Sequence, residues 1–235
     1  MKLLIKDVKK SFEKKEVLIG ASYTFQTGKI YGLLGRNGAG KTTLFNCIND
    51  DIPIDSGSIS ADENGICRAL CADDIGYVLS VPVVPEFLTG REFLKFFIDI
   101  NKDKIKNLRT IDEYFELMRI KDSDRDRLMK DYSHGMKNKM MMLVNLIAQT
   151  PVLLLDEPLT SFDVVVADEM KQLLRNIKSE HIIIFSTHIM ELALDLCDEI
   201  IILNNGILEK IDKENLDNHA FKDRIISALR GEDDD

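Results

Sequence analysis

One stretch of the chain fits the spacing G-x-x-x-x-G-K-[ST], with its fixed positions at Gly35, Gly40, Lys41 and Thr42. An apolar, strand-like run (30–34) precedes it and a helix-like run (43–49) follows it. Glycines allow a tight loop whose backbone N–H groups point inward at a polyphosphate, and the start of the following helix adds its positive dipole end. The sequence therefore predicts a phosphate-binding loop.

Each polar position of this loop has an expected task. Lys41 is expected to reach the β- and γ-phosphates, and the Thr42 hydroxyl is expected to hold Mg²⁺. The residues predicted to contact the bound phosphates are Gly35, Asn37, Gly38, Ala39, Gly40, Lys41, Thr42 and Thr43.

Two further polar sites follow apolar, strand-like runs. Asp156 and Glu157 come after run 152–155, and His188 follows run 181–185. Strands that alternate with helices indicate a doubly wound sheet, whose ligands lie at the carboxyl ends of the strands. We therefore expect Asp156 to serve the metal, Glu157 to orient or deprotonate the attacking water, and His188 to bond the γ-phosphate. The alternatives are a surface turn for the carboxylates and a capping or solvent-exposed histidine.

Composition excludes several classes of partner. The formal charge of −9 and the lack of a basic block argue against nucleic acid, which selects clustered Lys and Arg. No stretch approaches about 18 uninterrupted apolar residues, so we expect any membrane role to come through a partner. Among the four cysteines, only Cys67 and Cys71 are close in sequence, so a zinc site is not expected.

The chain divides into three parts by the type of pattern. Period-two apolar runs fill residues 2–34, and helical spacing with many charges fills 91–100, 111–118 and 124–130. Strands then alternate with helices, the latter at 164–177 and 189–196. We predict an α/β core from 1–80 and 146–215 that contains the phosphate loop, a helical subdomain at 81–145, and a terminal helix with an acidic tail at 216–235.

The order of the motifs resembles that of one family. The chain is similar to the ATP-binding subunit, or nucleotide-binding domain, of an ATP-binding-cassette transporter, and the likeness runs from Phe12 to about Lys210. It is carried by the phosphate loop, Tyr132-Ser133-His134-Gly135-Met136, Leu154-Leu155-Asp156-Glu157-Pro158, Ser161-Phe162-Asp163 and Ser186-Thr187-His188. The resemblance implies an α/β fold: a P-loop NTPase core with a mainly parallel sheet, an antiparallel β subdomain and an inserted helical subdomain.

The resemblance also implies how the chain works. Phe12 would stack on adenine, as an alternative to being an ordinary core aromatic. Two copies, or this chain and a related subunit, would form a head-to-tail dimer around two ATP molecules, each phosphate loop facing Ser133 and Gly135 of the other copy. Ser133 can cap the helix that begins near Met136. Asp163 would lie in the loop that connects the two sites.

Two departures from the family pattern bear on the type of transporter and on the rate of hydrolysis. His134 and Met136 replace a glycine and a glutamine, and this form is similar to that of bacterial exporters with separate membrane subunits. Ser80 stands where a glutamine usually contacts Mg²⁺ and water. Because serine is too short to span that distance without a bridging water, we expect slower hydrolysis with nucleotide binding retained.

These likenesses predict an ATPase that serves a separate transmembrane permease on the inner, cytoplasmic face of the cell membrane. The apolar run 81–87 would be where that permease docks, unless it is ordinary lobe packing. The main alternative is a nucleotide-gated regulatory ATPase with weak hydrolysis. A DNA-repair or translation ATPase is disfavoured because the chain lacks a coiled-coil insertion or second cassette, and the motif at Tyr132–Met136 disfavours a small-molecule kinase.

Overall fold

A computed structural model describes residues 1–105, 108–159 and 164–211. The predicted motif at 161–163, which includes Asp163, and the predicted terminal helix and tail at 216–235 lie outside these residues. Within the described ranges, no helix combines the length and apolar character that crossing a bilayer requires.

Antiparallel strands form the first sheet, in the order β2-β1-β4-β5. They are β1 (Lys2–Phe12), β2 (Lys15–Gln26), β4 (Ser56–Glu63) and β5 (Ile66–Arg68). The first two are longer than the period-two runs at 2–8, 17–18 and 22–25 predict. A bulge at Asp7, whose φ is +49°, interrupts the period-two pattern without ending the ladder, so the pattern alone understates the strand length.

The second sheet has the order β10-β9-β3-β8-β7-β6. Its strands are β3 (Lys29–Leu34), β6 (Ile75–Val78), β7 (Val152–Asp156), β8 (Ile182–Thr187), β9 (Glu199–Asn204) and β10 (Ile207–Ile211). All neighbouring pairs are parallel except β9 and β10, which form a hairpin. The predicted mainly parallel sheet is confirmed, and β3, β8 and β7 are adjacent in it.

Helices follow the predicted pattern with one exception. They are α1 (Lys41–Ile48), α2 (Gly90–Asn101), α3 (Ile111–Leu117), α4 (Asp122–Arg125), α5 (His134–Ala148), α6 (Val164–Ile177) and α7 (Met190–Leu196). The exception is the helix predicted at 124–130, which is wrong as a single helix, because α4 ends at Arg125 and a short 3-10 turn at Met129–Asp131 follows. The Met129 amide donates to Leu88 O (2.8 Å), and this strand-like contact with the segment before α2 replaces the helical bonds.

Strand β3 shows where the core lies, because it is buried on both faces. Ile30 and Leu34 pack into one apolar cluster with side chains from α2, α5, α6 and α7. Tyr31 and Leu33 pack into a second cluster with α1 and the antiparallel sheet. The parallel sheet is thus the middle layer, and only its strand ends are open to a ligand.

Helix α5 connects the helical region to this middle layer. The predicted subdomain boundary at residue 145 falls inside α5, which continues to Ala148. Near that end α5 lies close to β6, where a Cβ added to Gly76 would be 2.6 Å from Asn145 Oδ1. Only glycine permits this approach, so α5 and β6 are held together at one end of the helix.

A cluster of charged groups joins the two sheets. The Tyr23 hydroxyl of β2 donates to Glu199 Oε2 of β9 (2.7 Å), and Lys29 Nζ lies 2.5 Å from Oε1. Lys210 Nζ lies 3.0 Å from Oε2. Burial raises the pKa of Glu199, but the bonds from Lys29, Tyr23 and Lys210 outweigh burial and lower that pKa to about 2.

Replacing Glu199 with Gln is therefore expected to destabilise the fold at neutral pH by roughly 1–3 kcal/mol, since three donors lose a charged acceptor. A carboxyl whose pKa is lowered by folding contributes its stability above its unfolded pKa of about 4.3 and loses it as the pH falls toward about 2. The difference in thermal midpoint between the wild type and Glu199→Gln should accordingly shrink over this pH range. Asp73→Asn, which removes the same charge from an exposed pair with Lys104, should change little at any pH.

Candidate functional site

Backbone conformation shapes the phosphate loop between β3 and α1. Gly38 and Gly40 have φ values of +79° and +104°, in the region that favours glycine. A Cβ on Gly40 would also lie 2.7 Å from Val17 Cγ1, so the position excludes a side chain on steric grounds as well. Gly40 precedes α1 without a side-chain cap, which leaves the first N–H groups of the helix available to an anion.

The Lys41 side chain is folded back along this loop. Its Nζ donates to the carbonyl oxygens of Gly35 (2.8 Å) and Arg36 (3.2 Å), and it is buried. The same ammonium lies 3.6 Å from Glu157 Oε1. Lys41 thus fixes the loop in a curved form while its charge stays beside the cleft.

Hydrogen bonds join three neighbouring strand ends beneath the loop. The Thr42 hydroxyl donates to Asp156 Oδ2 (2.8 Å), and the Ser186 hydroxyl donates to Asp156 Oδ1 (2.5 Å). Ser186 Oγ also accepts from the Glu157 amide (2.9 Å). Both oxygens of the buried Asp156 carboxylate are therefore held in place.

Glu157 occupies the centre of the charged groups. Its φ of +48° turns the chain out of β7 and toward the cleft. Its Oε1 lies 3.2 Å from His188 Nδ1, in addition to the contact with Lys41. One carboxylate oxygen is thus shared by two groups that can each carry positive charge.

An open cleft of about 390 Å³ contains most of the predicted site. It is lined by Phe12, Lys15, Val17, Asn37, Gly38, Gly40, Lys41, Thr42, Thr43, Ser80, Asp156 and Glu157. Phe12 is 46% exposed. Gly35 and Ala39 belong to the loop itself, and His188 reaches the cleft through Glu157.

Ser133 and Gly135 lie elsewhere, at the start of α5. Neither lines the cleft formed by the described residues. The Met136 amide donates to Ser133 Oγ (3.2 Å), which confirms the predicted cap, although the helix begins at His134 rather than near Met136. Both residues are open to a neighbouring molecule, because Ser133 is exposed and Gly135 half-buried.

Sequence reasoning missed three residues of the site. Lys15 and Val17 line the cleft because the hairpin from β1 to β2 sets Lys15 directly opposite Phe12. A two-residue turn after Phe12 was the available signal for this pairing. The role of the Ser186 hydroxyl had no signal in the sequence, since it depends on β7 and β8 being neighbours.

Comparison with known proteins identifies the family. A family profile described as ABC transporter matches residues 18–160, which is more than half of the chain. The chain belongs to the ABC transporter family. Within this family it is an ATP-binding domain and an ATPase.

Relatives of different length share this ABC domain. The ABC transporter ATP-binding protein YhcH of Bacillus subtilis is 30% identical over 92% of the chain, which spans 72% of that protein. ATP-binding cassette sub-family A member 6 of Homo sapiens is 30% identical over 87% of the chain, which spans 13% of that protein. The sulfate/thiosulfate import ATP-binding protein CysA of Synechococcus elongatus is 30% identical over 88% of the chain, which spans 61% of it.

Solved structures share the fold. The structure of an ATP binding subunit of an ABC transporter matches with a TM-score of 0.79 and 23% identity, covering 98% of this chain and all of that one. A dimeric post-hydrolysis structure of the ATP-binding cassette MJ0796, bound to ADP and Pi, matches with a TM-score of 0.73 and 18% identity, covering 89% of this chain and 99% of that one. The predicted fold is therefore confirmed.

Replacing Ser186 with Ala tests the joined strand ends. We expect a loss of roughly 1–3 kcal/mol in stability, because the Glu157 amide loses its acceptor, and about a tenfold lower ATP turnover, because Asp156 and Glu157 lose a common anchor. Thermal unfolding and phosphate release measure the two effects. Ser22→Ala is the matched control: Ser22 Oγ also accepts from the amide of a left-handed residue, Asp7, but in the antiparallel sheet. It should leave turnover unchanged, and equal turnover losses in both variants would contradict the proposed anchoring.

Proposed function

We propose that the chain is the ATP-hydrolysing subunit of a membrane exporter, in which ATP opens and closes a head-to-tail dimer that drives a separate permease. The observation that carries this proposal is the joined hydroxyl and carboxylate of Thr42 and Asp156 in the cleft that also contains Lys41 and Glu157. A phosphate loop alone binds phosphates. A metal-ligand pair and a possible base beside it support hydrolysis.

The donor set fits Mg²⁺. Thr42 Oγ1 and Asp156 Oδ2 are oxygen ligands of the kind that this hard cation prefers. In the part of the chain that the structure describes, no group of three or more His, Cys, Asp or Glu residues could hold a metal by itself. This suits Mg²⁺, which keeps water and substrate phosphate oxygens among its ligands. When bound, the ion neutralises charge that develops on the phosphate oxygens, and we propose Ser80 as a third, water-mediated contact.

The remaining charged groups suit an in-line attack by water. Lys41 now donates to the carbonyl oxygens of Gly35 and Arg36. Phosphate oxygens are hydrogen-bond acceptors too, so the Lys41 ammonium can exchange these carbonyls for a bound phosphate. We assign Glu157 as the group that orients the water or takes its proton. We assign His188, which contacts the same carboxylate, to the γ-phosphate.

The two ends of ATP are assigned to different parts of the molecule. Phe12, exposed at the cleft, is the proposed surface for adenine. Ser133 and Gly135 are the proposed contacts to the γ-phosphate of the other copy, because they lie outside the cleft of their own chain at an exposed helix start. A single copy would then hold two incomplete sites. The dimeric MJ0796 structure supports such pairing.

Exposed apolar side chains support a membrane partner. Val81, Val83 and Phe87 are each more than two-thirds exposed, in the segment between β6 and α2. Such a patch is costly in water and indicates a contact surface. We therefore place the chain on the cytoplasmic face of the membrane, docked to its permease. We infer the direction of transport, export, from the form of the motif at Tyr132–Met136. The relative CysA, by contrast, is named for import.

A second candidate function is a nucleotide-gated regulatory ATPase with weak hydrolysis. The observation in its favour is Ser80, which lines the cleft where the longer glutamine is usual. The positions of Glu157 and His188 favour full hydrolysis instead.

The variant Glu157→Gln tests the dimer and the base together. We expect ATP turnover to fall about 100-fold or more, because the amide cannot accept a proton, while ATP remains bound. Light scattering should then show a shift from monomer to dimer with Mg-ATP and not with ADP. Adding Ser133→Ala should abolish the dimer and leave ATP binding intact. A variant that binds ATP but stays monomeric would contradict the homodimer and favour pairing with a related subunit.

The variant Ser80→Gln tests the substitution at the metal site. We expect faster steady-state phosphate release at an unchanged ATP affinity, because the longer side chain reaches Mg²⁺ and water directly. Ser80→Ala is the control, and it should not gain activity. Unchanged turnover in Ser80→Gln would contradict the expectation that Ser80 slows hydrolysis.

A further inference from the structure

Lys10 is a buried lysine that lies beneath Phe12. The two residues are two positions apart on β1, so their side chains share one face of the strand. Lys10 Nζ lies 5.3 Å from the centre of the Phe12 ring, within the range of a cation–π contact. Lys10 is 9% exposed, whereas Phe12 is 46% exposed. A buried cation therefore contacts a ring of which nearly half stays exposed and which lines the cleft.

An ion pair holds Lys10 in this position. Its Nζ lies 3.2 Å from Asp55 Oδ1, and Asp55 Oδ2 accepts from the Ser11 amide (2.7 Å). The Asp55 amide in turn donates to Lys9 O (2.9 Å). The Lys10 ammonium, and then the Ser11 amide, hold the pKa of Asp55 below its usual range. The end of β1 is thus tied to the turn before β4.

Lys10 also lies near the helix that follows the phosphate loop. Burial raises the pKa of the Cys47 thiol in α1 to about 11, and the charge of Lys10 acts in the opposite direction. The Lys10 ammonium therefore contacts both the Phe12 ring and the Asp55 carboxylate. Lysines usually extend into water, and burying one has a cost that this pairing offsets.

We propose that Lys10 is a positioning residue for the nucleotide base: it holds the Phe12 ring from below, so that the open face is fixed for stacking. This proposal rests on the proposed function, in which Phe12 receives adenine. A ring held on one side loses less freedom when a base stacks on the other, so less binding energy is spent on ordering it. The charge also draws electron density from the ring, which favours stacking of an electron-rich purine.

The test compares ADP with pyrophosphate, because only ADP carries a base and neither is turned over. Lys10→Met keeps an unbranched, buried side chain and removes the charge. We expect it to weaken ADP binding roughly two- to fivefold, the fold-change that corresponds to a weak cation–π contact, and to leave pyrophosphate binding unchanged. Phe12→Ala should weaken ADP binding further. The double variant Lys10→Met/Phe12→Ala should bind ADP no more weakly than Phe12→Ala alone.

Matched variants separate positioning from a general effect on the fold. Lys9→Met makes the same change at the neighbouring, exposed position and should have no effect on either ligand. Lys10→Arg keeps a cation beside the ring and should retain ADP affinity. If Lys10→Met fails to fold, Lys10→Arg is compared with Lys10→Gln, and equal ADP affinities in these two variants overturn the proposal. Equal losses for ADP and pyrophosphate in Lys10→Met, or losses that add to those of Phe12→Ala, also overturn it. An unchanged ADP to pyrophosphate ratio in Phe12→Ala would instead remove Phe12 as the adenine surface.

Discussion

The site depends on one buried carboxylate that accepts a hydrogen bond from a hydroxyl on each side. Asp156 ends β7, Ser186 lies in β8, and Thr42 belongs to the helix that follows β3. These strands are adjacent and parallel, so they end at the same edge of the sheet. Asp156 can therefore bond to both neighbours only if the sheet has this order. The order of the strands thus determines which hydroxyl groups the two oxygens of the Asp156 side chain can bond.

The charged groups of the cleft contact one another and the loop backbone. Glu157 Oε1 is shared by Lys41 and His188, and Lys41 also contacts two carbonyl oxygens of its own loop. In the proposed function, a phosphate would take the place of these acceptors around Lys41. The contacts among Glu157, Lys41 and His188 offset part of the cost of holding charged side chains near the protein interior.

Much of this arrangement was predictable from local patterns, and the rest depends on distant contacts. The buried strands, α6 and the convergence of the phosphate loop with Asp156 follow from apolar periodicity and from the rule for parallel strand ends. The predicted helix at 124–130 was wrong because Leu88 and Met129 form a bond across more than 40 residues. The contacts of Lys10 and the anchoring role of Ser186 were not predicted for the same reason: their partners Asp55 and Asp156 are distant in sequence.

The two ends of helix α5 have different surroundings. Its 15 residues span about 22 Å, at about 1.5 Å a residue. One end is wedged against Gly76 of β6, two residues before that strand ends, and the other carries the exposed Ser133. A tilt of about 5° around the wedged end moves Ser133 by about 2 Å, which is enough to make or break a hydrogen bond. Any change in the angle between α5 and β6 would therefore displace Ser133, the residue proposed to meet a second molecule, further than Gly76.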